Sequence, residues 1–345
     1  MISNKTKFIA VDLFAGCGGL SEGLKQAGFR TIAACELDAV AVSAYKLNHP
    51  HVTVYEGDIR QLKPSSIEEL LKGKPLHLLA GCPPCQGFSS LRRLNKKGSV
   101  RDERNSLVDE YYRFVEALRP LAIMMENVPG LKNYFKFQSM VKKLKKIGYK
   151  LDMSVVNVSD YGVPQRRKRL ILIGSLLNDI NIVPAINVKK TVRMCIGSIE
   201  SATDTTDLLH KATADHSDKI MEMIRLIPKD GGSRKDLPAK YILECHKKEN
   251  IGFNDIYGRL KWDDYSSTIT GGCLNPSKGR FLHPSEDRCI TAREAALLQT
   301  FPKDYKFPAN TTKAKLALMI GNALPPEFCR LQAKNIFEHL NLNFH

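Results

Sequence analysis

Residues 82–89, Cys-Pro-Pro-Cys-Gln-Gly-Phe-Ser, hold the best-placed nucleophile in this chain. A cysteine is soft and partly ionised near neutral pH, so it can attack carbon. The apolar run 76–80 predicts a buried strand. Prolines cannot continue a central strand. The chain must turn there and present Cys85 at the strand's carboxyl end, the edge where open α/β sheets bind ligands. The local motif leaves another reading open. Cys82 and Cys85 also have the spacing of a zinc half-site or a structural or redox pair. Zinc takes four ligands, and Cys195, Cys245, Cys273, Cys289 and Cys329 are scattered rather than paired, so no metal is expected.

Alternating patterns surround this motif. Strands are predicted over 8–14, 31–35, 52–55, 76–80, 122–125, 151–158 and 169–173, and helices over 20–27, 39–47, 66–71, 106–118 and 137–147. Such alternation predicts a doubly wound, mainly parallel α/β sheet. Periodicity weakens after residue 188, where Gly, Lys, Asp, Ser and Thr dominate. Helix patterns return at 291–299, 313–320 and 326–340. The expected plan is therefore a catalytic and cofactor-binding domain over 1–188, a smaller irregular domain over 189–304, and a segment over 305–345 that returns to the first.

The first strand runs into Ala15-Gly16-Cys17-Gly18-Gly19-Leu20 and then a helix. A glycine turn between strand and helix lets a ligand approach the backbone. Glu36 ends the second strand, where an acid accepts from ribose hydroxyls, and Asp58 follows the third. An adenosine-containing cofactor is expected. The dinucleotide fingerprint wants a third glycine where this chain has Ser21, so a cofactor without a pyrophosphate suits the loop better.

Charge names the partner class. Lys and Arg number 52 against 36 Asp and Glu, a net charge of +16, which predicts a polyanion such as nucleic acid. No apolar run reaches the roughly 18 residues of a membrane span. The polar start leading directly into a strand argues against a signal peptide. Nine cysteines without framework spacing suggest reduced thiols in a cytosolic compartment.

These pieces occur in a recognisable order. Asp12-Leu-Phe-Ala-Gly-Cys-Gly-Gly19, Gly81-Cys-Pro-Pro-Cys-Gln-Gly-Phe-Ser89 and Glu126-Asn127-Val128 are followed by Gln165-Arg-Arg-Lys-Arg169, then Thr291-Ala-Arg-Glu-Ala-Ala-Leu-Leu-Gln-Thr-Phe-Pro302 and Gly321-Asn322. The series resembles the cytosine-C5 DNA methyltransferases, in unpermuted order and over all but about 189–260. The resemblance implies a Rossmann-like fold, S-adenosylmethionine as donor with S-adenosylhomocysteine as product, and Cys85 as nucleophile. It places Phe14, Gly16, Gly18, Gly19, Glu36, Leu37, Asp58, Ile59, Pro84, Leu107 and Asn322 around the cofactor. Leu37 departs from the pattern, since many relatives carry a tryptophan there to pack on adenine.

The chemistry explains the motifs. Thiolate attack at C6 of cytosine makes C5 electron-rich. Glu126, holding or sharing a proton, can serve N3 and N4, which asks burial to keep it protonated. Arg167 is expected to hold O2 and align Cys85, and Arg169 to orient Glu126 or the loop. Strand alternation puts these two arginines on one face. A target inside a duplex must be flipped out. Gln86 and Ser89 adjoin the nucleophile, and the basic stretch after it, with Arg92, Arg93, Lys96, Lys97 and Arg101, reads as a lid that grips phosphates. The irregular domain reads as the target-recognition domain, with Thr268 at a phosphate and Arg259, Arg280, Lys261, Lys278 and His283 as DNA-contact candidates. The expected partner is double-stranded DNA. The expected protein is a monomer of the bacterial cytoplasm and nucleoid, either the modification half of a system with a restriction endonuclease or an orphan counterpart. A tRNA methyltransferase of the same fold is disfavoured because such relatives carry Cys-Phe-Thr, whereas Leu274 and Asn275 follow Cys273 here. Intact Cys85 and Glu126 disfavour a silent DNA-binding protein.

Overall fold

The computed structural model describes residues 8–84, 106–211, 216–241 and 255–344. Two compact units emerge: Met1–Tyr161 with Lys168–Ile186 and Leu324–His345, and Gly162–Arg167 with Asn187–Ala323. Helices placed by the sequence reading at 291–299 and 313–320 thus lie within the second unit, and the chain rejoins the first only at residue 324 rather than at 305.

The first unit is built in chain order from β1 (Ile9–Leu13), α1 (Gly19–Ala27), β2 (Arg30–Glu36), α2 (Ala39–Asn48), β3 (Thr53–Glu56), α3 (Pro64–Leu71), β4 (Leu78–Gly81), α4 (Leu107–Leu118), β5 (Ala122–Asn127), α5 (Phe135–Lys146), β6 (Lys150–Asn157) and β7 (Lys168–Ser175). Two of these helices have a clear local reason to start where they do. Asp38 accepts from Val40 N and Ala41 N at 2.9 and 3.0 Å and so opens α2. Pro64 opens α3, a position that needs no amide hydrogen. On α4 the residues Val108, Tyr111, Phe114, Val115 and Leu118 form a buried stripe at helical spacing.

The strands lie in the order β3-β2-β1-β4-β5-β7-β6. The doubly wound sheet expected from the alternation is present, with one refinement: β7 runs antiparallel to both β5 and β6, while the other pairings are parallel. Central strands β1, β4 and β5 are buried along their whole length. Strand order reverses between β1 and β4, and a crevice opens at such a switch point beyond the carboxyl ends. The final helix, α11 (Pro326–Asn343), belongs to this unit. It lies against α1 so closely that a Cβ on Gly23 would stand 2.5 Å from Cys329 Cβ, and Cys329 Sγ donates to Leu20 O at 3.2 Å.

In the second unit, α6 (Val192–Ile196), α7 (Leu208–Lys211) and α8 (Asp218–Leu226) precede α9 (Ala292–Leu298) and α10 (Lys313–Asn322), and α11 (Pro326–Asn343) follows in the first. The stretch expected to be irregular therefore contains short helices. A reciprocal capping box between Thr291 and Glu294 starts α9. A small core gathers Met223, Ile224, Ile227, Tyr257 and Leu282. Among the described residues no helix is long and apolar enough to cross a membrane.

Candidate active site and cofactor cradle

At the carboxyl end of β1 the backbone turns through left-handed conformations at Phe14 (φ 61°), Gly16 (φ 55°) and Gly18 (φ 96°) before α1 begins. A left-handed, non-glycine Phe14 is strained, and such strain concentrates at functional turns. A Cβ added to Gly16 would meet nothing within 4 Å, so the loop frames open space. Gly19 is the first residue of α1. Glu36, at the end of β2, ties the loop down: Oε2 accepts from Gly16 N and Oε1 from Asp38 N, both at 2.8 Å. Next to it Leu37 is 69% exposed, unusual for a leucine at a strand end. Asp58 follows β3 and takes Arg60 in a close pair, Nη2 to Oδ2 at 2.6 Å. That pair holds the Asp58 carboxyl below its ordinary range. Ile59 is buried, and its carbonyl accepts from Arg113 of α4 at 2.8 Å. Leu107 opens α4, packed partly into the core, and Pro84 is half-buried after β4.

Asp12 escaped the residue reading except as part of a motif. It lies fully buried inside β1, with Oδ2 accepting from Ser21 Oγ at 2.7 Å. Ser21 Oγ in turn lies 2.6 Å from the Tyr45 hydroxyl. Oδ1 has no hydrogen-bond partner among the described residues. Burial, with Glu36 adding, pushes the Asp12 carboxyl up to about 7. An aspartate in the middle of an otherwise apolar strand was the available signal.

Glu126 is the last residue but one of β5, 7% exposed. Arg169 on the adjacent β7 sets its Nε 2.7 Å from Glu126 Oε1, and its Nη1 donates to Lys168 O at 2.8 Å. Asn127, the next residue, donates to Pro83 O at 2.7 Å. That bond fixes the Cys82-Pro83-Pro84 turn to the end of β5. Cys82 lies one step beyond the Gly81–Met125 pair, beside Glu126. Burial, then the Glu126 and Asp12 carboxylates, hold the Cys82 thiol well above its ordinary range. A thiol so held is a poor nucleophile. Cys85 and the lid candidates Gln86, Ser89, Arg92, Arg93, Lys96, Lys97 and Arg101 lie outside the described residues.

Several expected contacts are corrected. Arg167 does not share a strand face with Arg169, since β7 begins at Lys168. Its buried guanidinium instead donates to Ile269 O at 2.8 Å and Gly321 O at 3.0 Å. Arg259 is not a DNA-contact side chain. It is fully buried, and donates to the carbonyls of Ile224, Ile227, His283 and Glu286 and to Asp287 Oδ1. Arg280 is likewise engaged, with Nη1 on the carbonyls of Gly231, Gly232 and Arg259 and Nη2 on Asp255. His283 is buried, its Nε2 3.7 Å from Glu294. Lys261 and Lys278 are exposed. Thr268 is half-exposed and its hydroxyl donates to Arg166 O at 2.6 Å. Asn322 is exposed at the end of α10.

Known proteins place this arrangement. The sequence profile of the C-5 cytosine-specific DNA methylases matches residues 8–338. Type II methylase M.HgiDII of Herpetosiphon aurantiacus is 36% identical over 341 residues, 94% of either chain. Type II methyltransferase M.NgoFVII of Neisseria gonorrhoeae is 31% identical over 363 residues, 99% of this chain and 89% of its own. A solved structure described as a DNA modification methyltransferase encoded within an E. coli prophage superposes with a TM-score of 0.74 at 26% identity, over 97% of this chain and 100% of that one. The DNMT2 of Spodoptera frugiperda shares the fold, with a TM-score of 0.66 at 19% identity over 96% of this chain and 100% of that one. With a match that runs from β1 into α11 and a buried Glu–Arg pair at the carboxyl end of β5, the chain belongs to the C-5 cytosine-specific DNA methylase family.

Proposed function

We propose that this chain methylates C5 of a cytosine flipped out of double-stranded DNA, with Cys85 as nucleophile and the Glu126–Arg169 pair holding the ring. The observation that carries the assignment is the 2.7 Å contact between Arg169 Nε and Glu126 Oε1, beside the turn that leads to Cys85.

The cradle fits S-adenosylmethionine. It is open at Gly16, with an acid at Glu36 and an exposed apolar side chain at Leu37, and the family resemblance adds Phe14, Gly18, Gly19, Asp58, Ile59, Pro84 and Leu107. Asn322 joins this set on the family resemblance. When bound, the cofactor supplies an electrophilic methyl group.

Cys85 adds to C6, breaking the aromatic system and loading electron density onto C5. Glu126 gives a proton to N3 and accepts from N4. Arg169 orients Glu126 through Nε and takes over the contact to O2 first assigned to Arg167, whose donors face backbone carbonyls. Once C5 carries the methyl group, N3 returns its proton to Glu126, the C5 proton passes to water and the Cys85 thiolate leaves, restoring the ring.

The second unit reads the target, with Thr268 at a phosphate near the flipped base and Lys261 and Lys278 among the exposed cations. The chain's similarity to Type II enzymes supports a place in a bacterial restriction–modification pair, and we propose that it works as a monomer at the nucleoid. Incubation with S-adenosylmethionine and either plasmid DNA or total tRNA, followed by bisulfite sequencing, tests the reading. Methylation at one recurring DNA sequence is expected. Methylation of tRNA alone, or of neither, refutes it.

A further inference from the structure

The twenty residues from Lys132 to Leu151 carry seven lysines and no aspartate or glutamate. Chain direction fixes where most of them emerge. β5 and β6 both run antiparallel to β7, so they are parallel to each other. α5 is the crossover between them and must return from the carboxyl edge of the sheet to the amino edge. Its last turn, with Lys143, Lys145 and Lys146, therefore lies at the amino edge, as does Lys150 at the start of β6. Glu126 and the glycine loop stand at the other edge. α5 has 12 residues, so the two ends are separated by about 18 Å.

Arg119 joins this group. It ends α4 in a left-handed turn, φ 45°, and its Nη1 donates to Ile147 O at 2.8 Å. Arg119, Lys142, Lys143, Lys145, Lys146 and Lys150 are all exposed. Lys150 stands 3.8 Å from Asp179, and Lys143 lies over the Tyr112 ring at 5.1 Å. Lys142, Lys145 and Lys146 have no ion pair among the described residues. A helix end gains from a cation or two, because the macrodipole leaves about half a negative charge there. This cluster goes well past that. Lys142 meets Lys145 at i,i+3 and Lys146 at i,i+4, spacings at which like charges destabilise a helix. The fold does not need so much positive charge, whereas a polyanion would use it.

We propose that this amino-edge cluster is a second DNA-binding surface, which grips the phosphates of a duplex segment distinct from the one that carries the target cytosine. The inference rests on the proposed function for one point, that the polyanion is double-stranded DNA. Duplex is stiff over about 150 base pairs, so one short segment cannot serve both edges of the sheet. Lysines suit the task, since point charges on flexible stems meet phosphates without a fixed geometry. Phosphate contacts carry no sequence information, so this surface takes any duplex. A chain holding DNA at both edges can pass from one segment to another without first letting go.

Bridging of two duplexes tests the proposal. A short duplex with the methylated sequence is fixed to beads and loaded with the full chain and S-adenosylhomocysteine. Unbound chain is washed away, and a fluorescent duplex lacking that sequence is offered. The beads should retain it at 50 mM salt and release it by about 200 mM. The variant Lys142→Gln/Lys145→Gln/Lys146→Gln should hold the fluorescent duplex at least tenfold more weakly, with a salt slope shallower by about three. It should bind and methylate the short duplex as the unaltered chain does. No retention by the unaltered chain, or equal retention by the folded variant, overturns the proposal, and so does retention of total tRNA in preference to duplex. Should the variant fail to fold, lysine acetylation of the unaltered chain decides. The second duplex should protect Lys142, Lys145 and Lys146, and the fixed duplex alone should leave them reactive. Protection by the fixed duplex alone, or by neither, overturns the second surface. Beads that capture no chain at all mark a failure of the functional reading instead, and acetylation with the fluorescent duplex alone then decides this one.

Discussion

Replacing Arg259 by methionine separates two meanings of a basic residue. If Arg259 met DNA, the variant would fold normally and bind duplex with a salt slope shallower by about one phosphate contact. The structure requires another outcome. Arg259 has no exposed surface and donates five hydrogen bonds, four to carbonyls and one to the Asp287 carboxylate. Methionine fills similar space and donates nothing. Ile224 O keeps its bond from Ile227 N, and Asp287 keeps Lys229, but the carbonyls of Ile227, His283 and Glu286 lose this donor. Asp287 is half-exposed and keeps a cation, so the cost lies in the carbonyls, about 1–3 kcal/mol for each buried acceptor left without a donor. The protein's single tryptophan reports on the loss directly: Trp262 stacks edge-on against His283 at 5.3 Å, and His283 is one of the residues Arg259 holds. Urea unfolding followed by tryptophan fluorescence should therefore show a markedly lower midpoint for Arg259→Met. The salt slope of duplex binding, measured where the variant is folded, should match that of the unaltered chain. An unchanged urea midpoint together with a shallower salt slope would refute the buried-anchor reasoning.

Three further outcomes are expected. Asp12 titrates near 7 in the folded chain against an ordinary 3.8, so between those values the folded state holds a proton that the unfolded state has lost. Stability must then fall as pH rises through that window, by about 4 kcal/mol in all at about 1.4 kcal/mol per pH unit; Asp12→Asn should flatten the decline in urea midpoints followed by circular dichroism between pH 5 and 8, and an equally steep decline would count against it. A duplex with 5-fluorocytosine at the target should form an adduct that survives a denaturing gel and maps to the Cys85 peptide; Cys85→Ala should abolish it and Cys82→Ala should not, because the Cys82 thiol is held protonated beside Glu126. Glu126→Gln should bind duplex normally yet lose roughly 10²–10⁴ in single-turnover rate, and a rate within a few fold of the unaltered chain would remove Glu126 from the proton path.

Legibility from sequence followed local physics. Strand and helix positions in the first unit could be read because apolar runs, Gly18 and Pro64 act over a few neighbours, and the observed bounds differ mostly at element ends. Glu36, Leu37 and Glu126 could be placed because a strand end fixes where a side chain emerges. Arg259 and Arg280 could not, since sequence shows a positive charge but not the carbonyls that surround it after folding. Arg167 failed for a related reason: alternation assumes a strand, and the strand starts one residue later. The antiparallel run of β7 was equally hidden, because a buried strand reads the same in either direction. Helix α8 was missed inside a polar stretch, where its stabilisation comes from Met223 and Ile224 packing on distant residues.

The tight seat of Cys329 against Gly23 has a consequence for how the protein is made. α1 follows the glycine loop, yet the surface it rests on is α11, some three hundred residues later along the chain. Throughout synthesis, α1 waits with an uncovered glycine face. A chain terminated before Pro326 would hold every residue assigned to chemistry and still lack the support behind its cradle. Methylating capacity is thereby tied to the arrival of α11, and a fragment that stops short of it lacks the backing of its own glycine loop.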